Sequence, residues 1–102
     1  MINYAHFEDL WQASEALFKN DITDSNAIVQ EIIAKLFLYQ SISTKLEASD
    51  EEKRQLQHHI MGTIVSTLTH LSLKDNINVF AALQETTNKL RAEKLEAALK
   101  RS

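Results

Sequence analysis

The groups in this chain that could do chemistry are four histidines, one acidic run and one basic patch. His58 and His59 are adjacent, so on a helix they point about 100° apart and do not share one metal ion. His70 follows His59 on the same helical face but about 16 Å further along the axis. His6 is distant in sequence. No His-x-x-x-His or Glu-x-x-His pair occurs, so a histidine metal site is not expected. Asp50-Glu51-Glu52 resembles a hard-cation cluster at first sight. Preceded by Ser49, it reads instead as a capping box, in which the Ser hydroxyl accepts an N–H of the first turn and Glu52 reaches back. Lys89-Leu90-Arg91 with Lys94 forms a basic patch, suited to a phosphate or simply solvated. Glu85/Lys89 and Glu96/Lys100 are i, i+4 ion pairs that support a helix. There is no cysteine, no Gly-x-Ser-x-Gly elbow and no glycine-rich phosphate loop, so thiolate, serine-elbow and P-loop chemistry are not expected.

The elements that must position these groups are helices. The chain has no proline and one glycine, Gly62, and its apolar residues fall at helical spacing throughout. The pattern predicts helix 1 over residues 4 to 19, with Asn3 as N-cap, Phe7, Leu10, Trp11, Leu17 and Phe18 forming the inward stripe together with Ser14, and Tyr4 at a core position. A loop follows over 20 to 26, where short polar side chains compete for backbone hydrogen bonds. Helix 2 is expected over 26 to 46. Its apolar residues, from Ile28 to Leu46, cover more than half its circumference, which marks it as the central helix, buried on more than one side. Helix 3 starts after Ser49 and carries the stripe Leu56, Ile60, Ile64, Leu68 and Leu71. Its small residues Thr63, Ser66, Thr67 and Thr69 permit a close neighbour. Helix 4 begins near Val79 with Asn78 as N-cap. Phe80, Leu83, Thr87 and Leu90 form a stripe that drifts to Leu95 and Leu99.

One domain spanning 1–102 is expected, an all-α, four-helix up-down bundle, because short interior loops imply antiparallel neighbours. A small helical domain buries little surface alone, and helix 2 needs more apolar partners than three neighbours supply. A homodimer through helices 2 and 3 is therefore expected. The formal net charge of −3 argues against broad nucleic-acid binding, which needs a basic face. The start lacks the basic and apolar regions of a secretory signal, and no apolar run approaches a membrane span. A cytoplasmic protein without membrane association is expected.

The segment Gly62-Thr63-Ile64-Val65-Ser66-Thr67-Leu68-Thr69-His70-Leu71-Ser72, followed by Asn76-Ile77-Asn78-Val79-Phe80-Ala81-Ala82-Leu83, resembles the second half of MazG-like nucleotide pyrophosphohydrolases. Lys89-Leu90-Arg91 echoes the basic signature that ends their last helix. Glu31-Ile32-Ile33-Ala34-Lys35-Leu36 lies over their Glu-Glu-Val-Gly-Glu-Leu, and Trp11 in an amphipathic first helix also fits. The resemblance implies an all-α scaffold, a nucleotide substrate and Mg²⁺ held by four carboxylates on facing helices. At those four places this chain has Ile32, Lys35, Ile60 and Thr63. An Ile does not ligate a hard cation, and a Lys repels it.

A divergent MazG-like protein is therefore expected, without the standard Mg-dependent activity and acting in binding or assembly, with no metal site and no cofactor. Two alternatives stand beside it. One is an active nucleotide pyrophosphohydrolase with a non-standard site, using Mg²⁺, with Glu31 as catalytic candidate and Lys35, Lys89 and Arg91 as phosphate-binding candidates. The other is an unrelated small helical adaptor.

Overall fold

The computed structural model describes residues 6–101. Four helices follow in order, α1 (Phe7–Leu17), α2 (Ser25–Ile42), α3 (Asp50–Asp75) and α4 (Val79–Arg101), with no strand among the described residues. The expected cap at Asn3 and core position at Tyr4 lie outside them.

Side-chain caps set the starts of α2, α3 and α4, whereas α1 begins after His6 without one. The Asp24 carboxylate accepts from Ala27 N at 2.8 Å, Ser49 Oγ from Glu52 N at 3.1 Å, and Asn78 Oδ1 from Ala81 N at 3.1 Å. Each satisfies an N–H that the first turn leaves without an intrahelical partner. Helix α2 begins one residue earlier than expected because Asp24 is its cap. It ends at Ile42, short of the expected 46. There Ser41, Ser43 and Thr44 hydroxyls donate to the carbonyls of Leu38, Gln40 and Ser41 at 2.7–2.8 Å, and such local bonds compete with helix continuation. Leu46, expected inside, is 95% exposed in the connecting turn. Helix α3 ends in a Schellman motif. Asn76 takes the left-handed conformation, φ 54° and ψ 47°, while Asn76 N bonds Leu73 O at 3.3 Å and Ile77 N bonds Ser72 O at 3.0 Å.

Helix α3 occupies the centre, packed by α2 along one side and by α1 along another. This corrects the expectation that α2 is central. The α2–α3 core is aliphatic: Ile42, Ile60 and Ile64 form one buried cluster against the ring of Tyr39, and Ile28 is fully buried. The α1–α3 contact is built from small hydroxyl residues. Ser14 Oγ lies 2.7 Å from Thr69 Oγ1 and 3.2 Å from Ser66 Oγ. Hydroxyl pairs satisfy one another here, so the helices approach closely without leaving polar atoms bare. The second apolar face of α2, Val29, Ile33, Leu36 and Phe37, is uncovered.

Helix α4 does not close the bundle. Val79 and Phe80 are half-buried, and every residue from Ala81 to Arg101 is exposed. Phe80 joins an aromatic cluster, its ring centroid 6.0 Å from Phe7 and 5.6 Å from Trp11. The rest of the helix leaves the body. The radius of gyration is 17.3 Å, against about 13 Å for a compact chain of this length. The short turn 76–78 therefore does not make the expected antiparallel pair. Phe80 finds its apolar partners on α1, at the root of α4, and no further α4 side chain becomes buried.

Candidate functional site

The four positions that the resemblance sets against metal ligands lie along the seam between α2 and α3. Ile60 is buried, Ile32 and Thr63 are half-buried, and Lys35 crosses the seam. Lys35 sits at the inward spacing of α2, in step with Ile28, Ile32, Tyr39 and Ile42. Its Nζ donates to Thr67 Oγ1 at 2.6 Å and to Thr63 O at 3.4 Å. Thr67 Oγ1 in turn donates to Thr63 O at 2.9 Å, so the hydroxyl is satisfied both ways. On the solvent side, Lys35 Nζ lies 3.2 Å from Glu31 Oε1. The lysine thus keeps its aliphatic stem in the seam and shares its charge between an interior hydroxyl, a carbonyl and a half-exposed carboxylate.

This donor set does not fit Mg²⁺. The ion needs several oxygen ligands in near-octahedral array, with carboxylates among them. The seam offers two hydrocarbon side chains, one threonine hydroxyl already bonded to Ile60 O at 2.8 Å, and an ammonium. Among the described residues, no three His, Asp or Glu side chains converge as a metal group. Glu31 is engaged with Lys35. Lys89 and Arg91 lie on the exposed length of α4, apart from that pair, so the four phosphate and catalytic candidates are not brought together within one chain.

The histidines separate by environment. His58 and His59 are exposed on α3, and His6 lies 3.8 Å from Asp9 at the exposed start of α1. His70 is buried, its ring stacked on Phe18 at 4.2 Å between centroids and 6° between planes. His70 Nε2 lies 3.4 Å from Asp21 Oδ1 without the alignment of a hydrogen bond, so the link is one of charge when the ring is protonated. Asp21 Oδ1 also accepts from Thr23 N at 2.7 Å. Hydrogen bonds from the Thr23 side chain and backbone hold the Asp21 carboxyl below its ordinary value. The charges of His70 and Lys74 add to this, and partial burial opposes it. Together these contacts pin the α1–α2 loop to α3.

Sequence reasoning missed both constellations. The signal for the first was present, since Lys35 interrupts an otherwise inward apolar register four residues after Glu31. The second pairs Phe18 and Asp21 with His70 across 52 and 49 residues, and no local pattern announces it. No protein-family model, no curated protein and no solved structure matches this chain. No helix among the described residues is long and apolar enough to cross a membrane.

Proposed function

We propose that this chain is a divergent MazG-like protein that works through binding and assembly as a homodimer, and that it does not release pyrophosphate by Mg²⁺-dependent chemistry. The observation that carries this reading is the seat of Lys35, whose ammonium lies on Thr67 Oγ1 and Thr63 O where the resemblance places carboxylates. A tethered cation there repels a second one. Burying Ile60 beside it trades a hydrated cleft for a core, with about 1.5–3 kcal/mol gained for each such side chain.

Without the ion, charge developing on a phosphate chain must be met by Lys and Arg alone, and the attacking water lacks its activator. Glu31 is an isolated carboxylate in this respect. The MazG-like assignment itself rests on the helix order and on the segment from Gly62 through the 76–78 turn to Leu83. The homodimer rests on the uncovered apolar face of α2.

Two measurements test the reading. Pyrophosphate release is followed with a panel of nucleoside triphosphates in Mg²⁺ and in Mn²⁺, and flat traces are expected. Turnover that vanishes in Glu31→Gln overturns the proposal in favour of an active enzyme with a non-standard site. Light scattering at micromolar concentration is expected to give twice the chain mass of 11.6 kDa, and the single-chain mass rules the dimer out.

A further inference from the structure

Two surfaces of this chain are incomplete in complementary ways. Helix α2 has a filled face, with Ile28, Tyr39 and Ile42 toward α3, and an open one. The open stripe is Val29, Ile33, Leu36 and Phe37, with Phe37 68% exposed. These residues follow i, i+4, i+7, i+8 spacing, which is the spacing of a helix-packing face. Helix α4 has 23 residues and none of them is buried. It is about 34 Å long at the α-helical rise. Leu83 and Leu90, one heptad apart, stand 57% and 52% exposed.

Helix α4 does not reach the open face of its own α2. Its root is held on α1 by Phe80 against Phe7 and Trp11. Its direction is set by the Schellman end of α3 and the Asn78 cap. From Val79 to Arg101 it is an unbroken helix without glycine or proline, so it has no hinge at which to turn back. Within one chain the fourth position of the bundle is therefore left open.

Charge points to a second copy of this chain. Helix α4 carries five basic and three acidic residues, whereas the rest of the chain carries six basic and eleven acidic. The arm is net positive and the body net negative, so one copy's arm is drawn toward another copy's body, while α2 itself is neutral, its Glu31 and Lys35 paired with each other, and the contact along it is apolar. A two-fold arrangement uses the same contact twice and covers both open α2 faces and both arms at once. We propose that two copies exchange their fourth helices, each α4 lying along the Val29–Ile33–Leu36–Phe37 face of the other chain's α2.

This inference rests on the homodimer proposed above and specifies how that dimer is built. Because the protein has no cysteine, engineered cysteines report the contact without background. The full chain bearing Ile33→Cys or Phe37→Cys is mixed with the full chain bearing Leu83→Cys or Leu90→Cys, after subunit exchange, under mild oxidation. A disulfide-linked heterodimer is expected from at least one of the four pairings. In parallel, Leu90→Asp is expected to raise the dimer dissociation constant at least tenfold while circular dichroism keeps its helical signal, since Leu90 lies outside the α1–α3 core.

The outcomes separate the two claims. A monomer by light scattering removes the dimer and the exchange together. A dimer that gives no mixed disulfide in any pairing, or that is indifferent to Leu90→Asp, keeps the dimer and overturns the exchange. Linked homodimers of the Leu90→Cys chain alone, with no mixed product, mean that α4 pairs with α4 and overturn it as well.

Discussion

The Lys35 ammonium reaches from α2 to within 2.6 Å of the Thr67 hydroxyl on α3, and this single bond ties the polar content of the seam to its aliphatic core. Its side chain is half-buried in the seam, while Glu31 answers its charge from the solvent side. Lys35→Ala removes both packing and bond and is expected to cost about 1–3 kcal/mol of stability in urea unfolding. Lys35→Met keeps the stem and should cost less, because Thr67 still donates to Thr63 O. Glu31→Gln, at an exposed pair, should change stability by about 0–1 kcal/mol. Wild-type stability in Lys35→Ala would show that the ammonium is not seated in the seam.

The cap of α3 is a second point of leverage. Ser49 Oγ accepts from Glu52 N at 3.1 Å, and no other side chain stands in for it at that N–H. Ser49→Ala is expected to cost about 0.5–2 kcal/mol, read as a lower thermal midpoint. An unchanged melting curve would place the start of α3 elsewhere.

The aromatic cluster at the root of α4 offers an optical test. Trp11 is the single tryptophan and is buried with Phe7 and Phe80 around it. Phe80→Ala should cost about 1–3 kcal/mol, less than the ~3–5 kcal/mol of a fully buried Phe, because Phe80 is half-buried. Trp11 emission should shift to longer wavelength as its face opens to water. Emission identical to wild type would mean that Phe80 does not cover the indole.

The loop contact at Asp21 predicts a pH dependence. Its carboxyl lies below the ordinary carboxylate value, chiefly through the Thr23 side-chain and backbone hydrogen bonds. A group with a depressed folded pKa contributes stability that is complete above its unfolded value and is lost as pH falls through the folded one. The Asp21 contribution should therefore disappear on the acid side of the ordinary carboxylate range. Thr23→Ala removes the hydroxyl and leaves the backbone donor, so the Asp21 pKa should rise part of the way toward normal in an NMR titration. An unmoved Asp21 titration would rule out the Thr23 hydroxyl as the cause.

How far the sequence could be read follows the range of the forces involved. The helical content, the start of α3 at Ser49 and the start of α4 after Asn78 depend on contacts within about one turn, between side chains and backbone groups three or four residues apart. Those were legible without a structure. So was the over-wide apolar surface of α2, which the structure resolves into a filled face and an open one. The early end of α2 at Ile42 was harder to see, because Ser41, Ser43 and Thr44 had to be weighed against the apolar pattern running on to Leu46.

Three features were decided only in three dimensions. Helix α3 rather than α2 became central because its small hydroxyl face admits Ser14 of α1 while its aliphatic face takes α2. Lys35 and Thr67 lie 32 residues apart, and only the register between two packed helices decides that one donates to the other. Helix α4 looked like the fourth member of a bundle, since its leucine spacing alone does not say which surface it meets. Its direction is set by the Asn76 left-handed turn and by Phe80 finding aromatic partners on α1, and these leave its length exposed. Local hydrogen bonding settled which residues are helical, and the long-range packing of a few side chains settled where each helix goes.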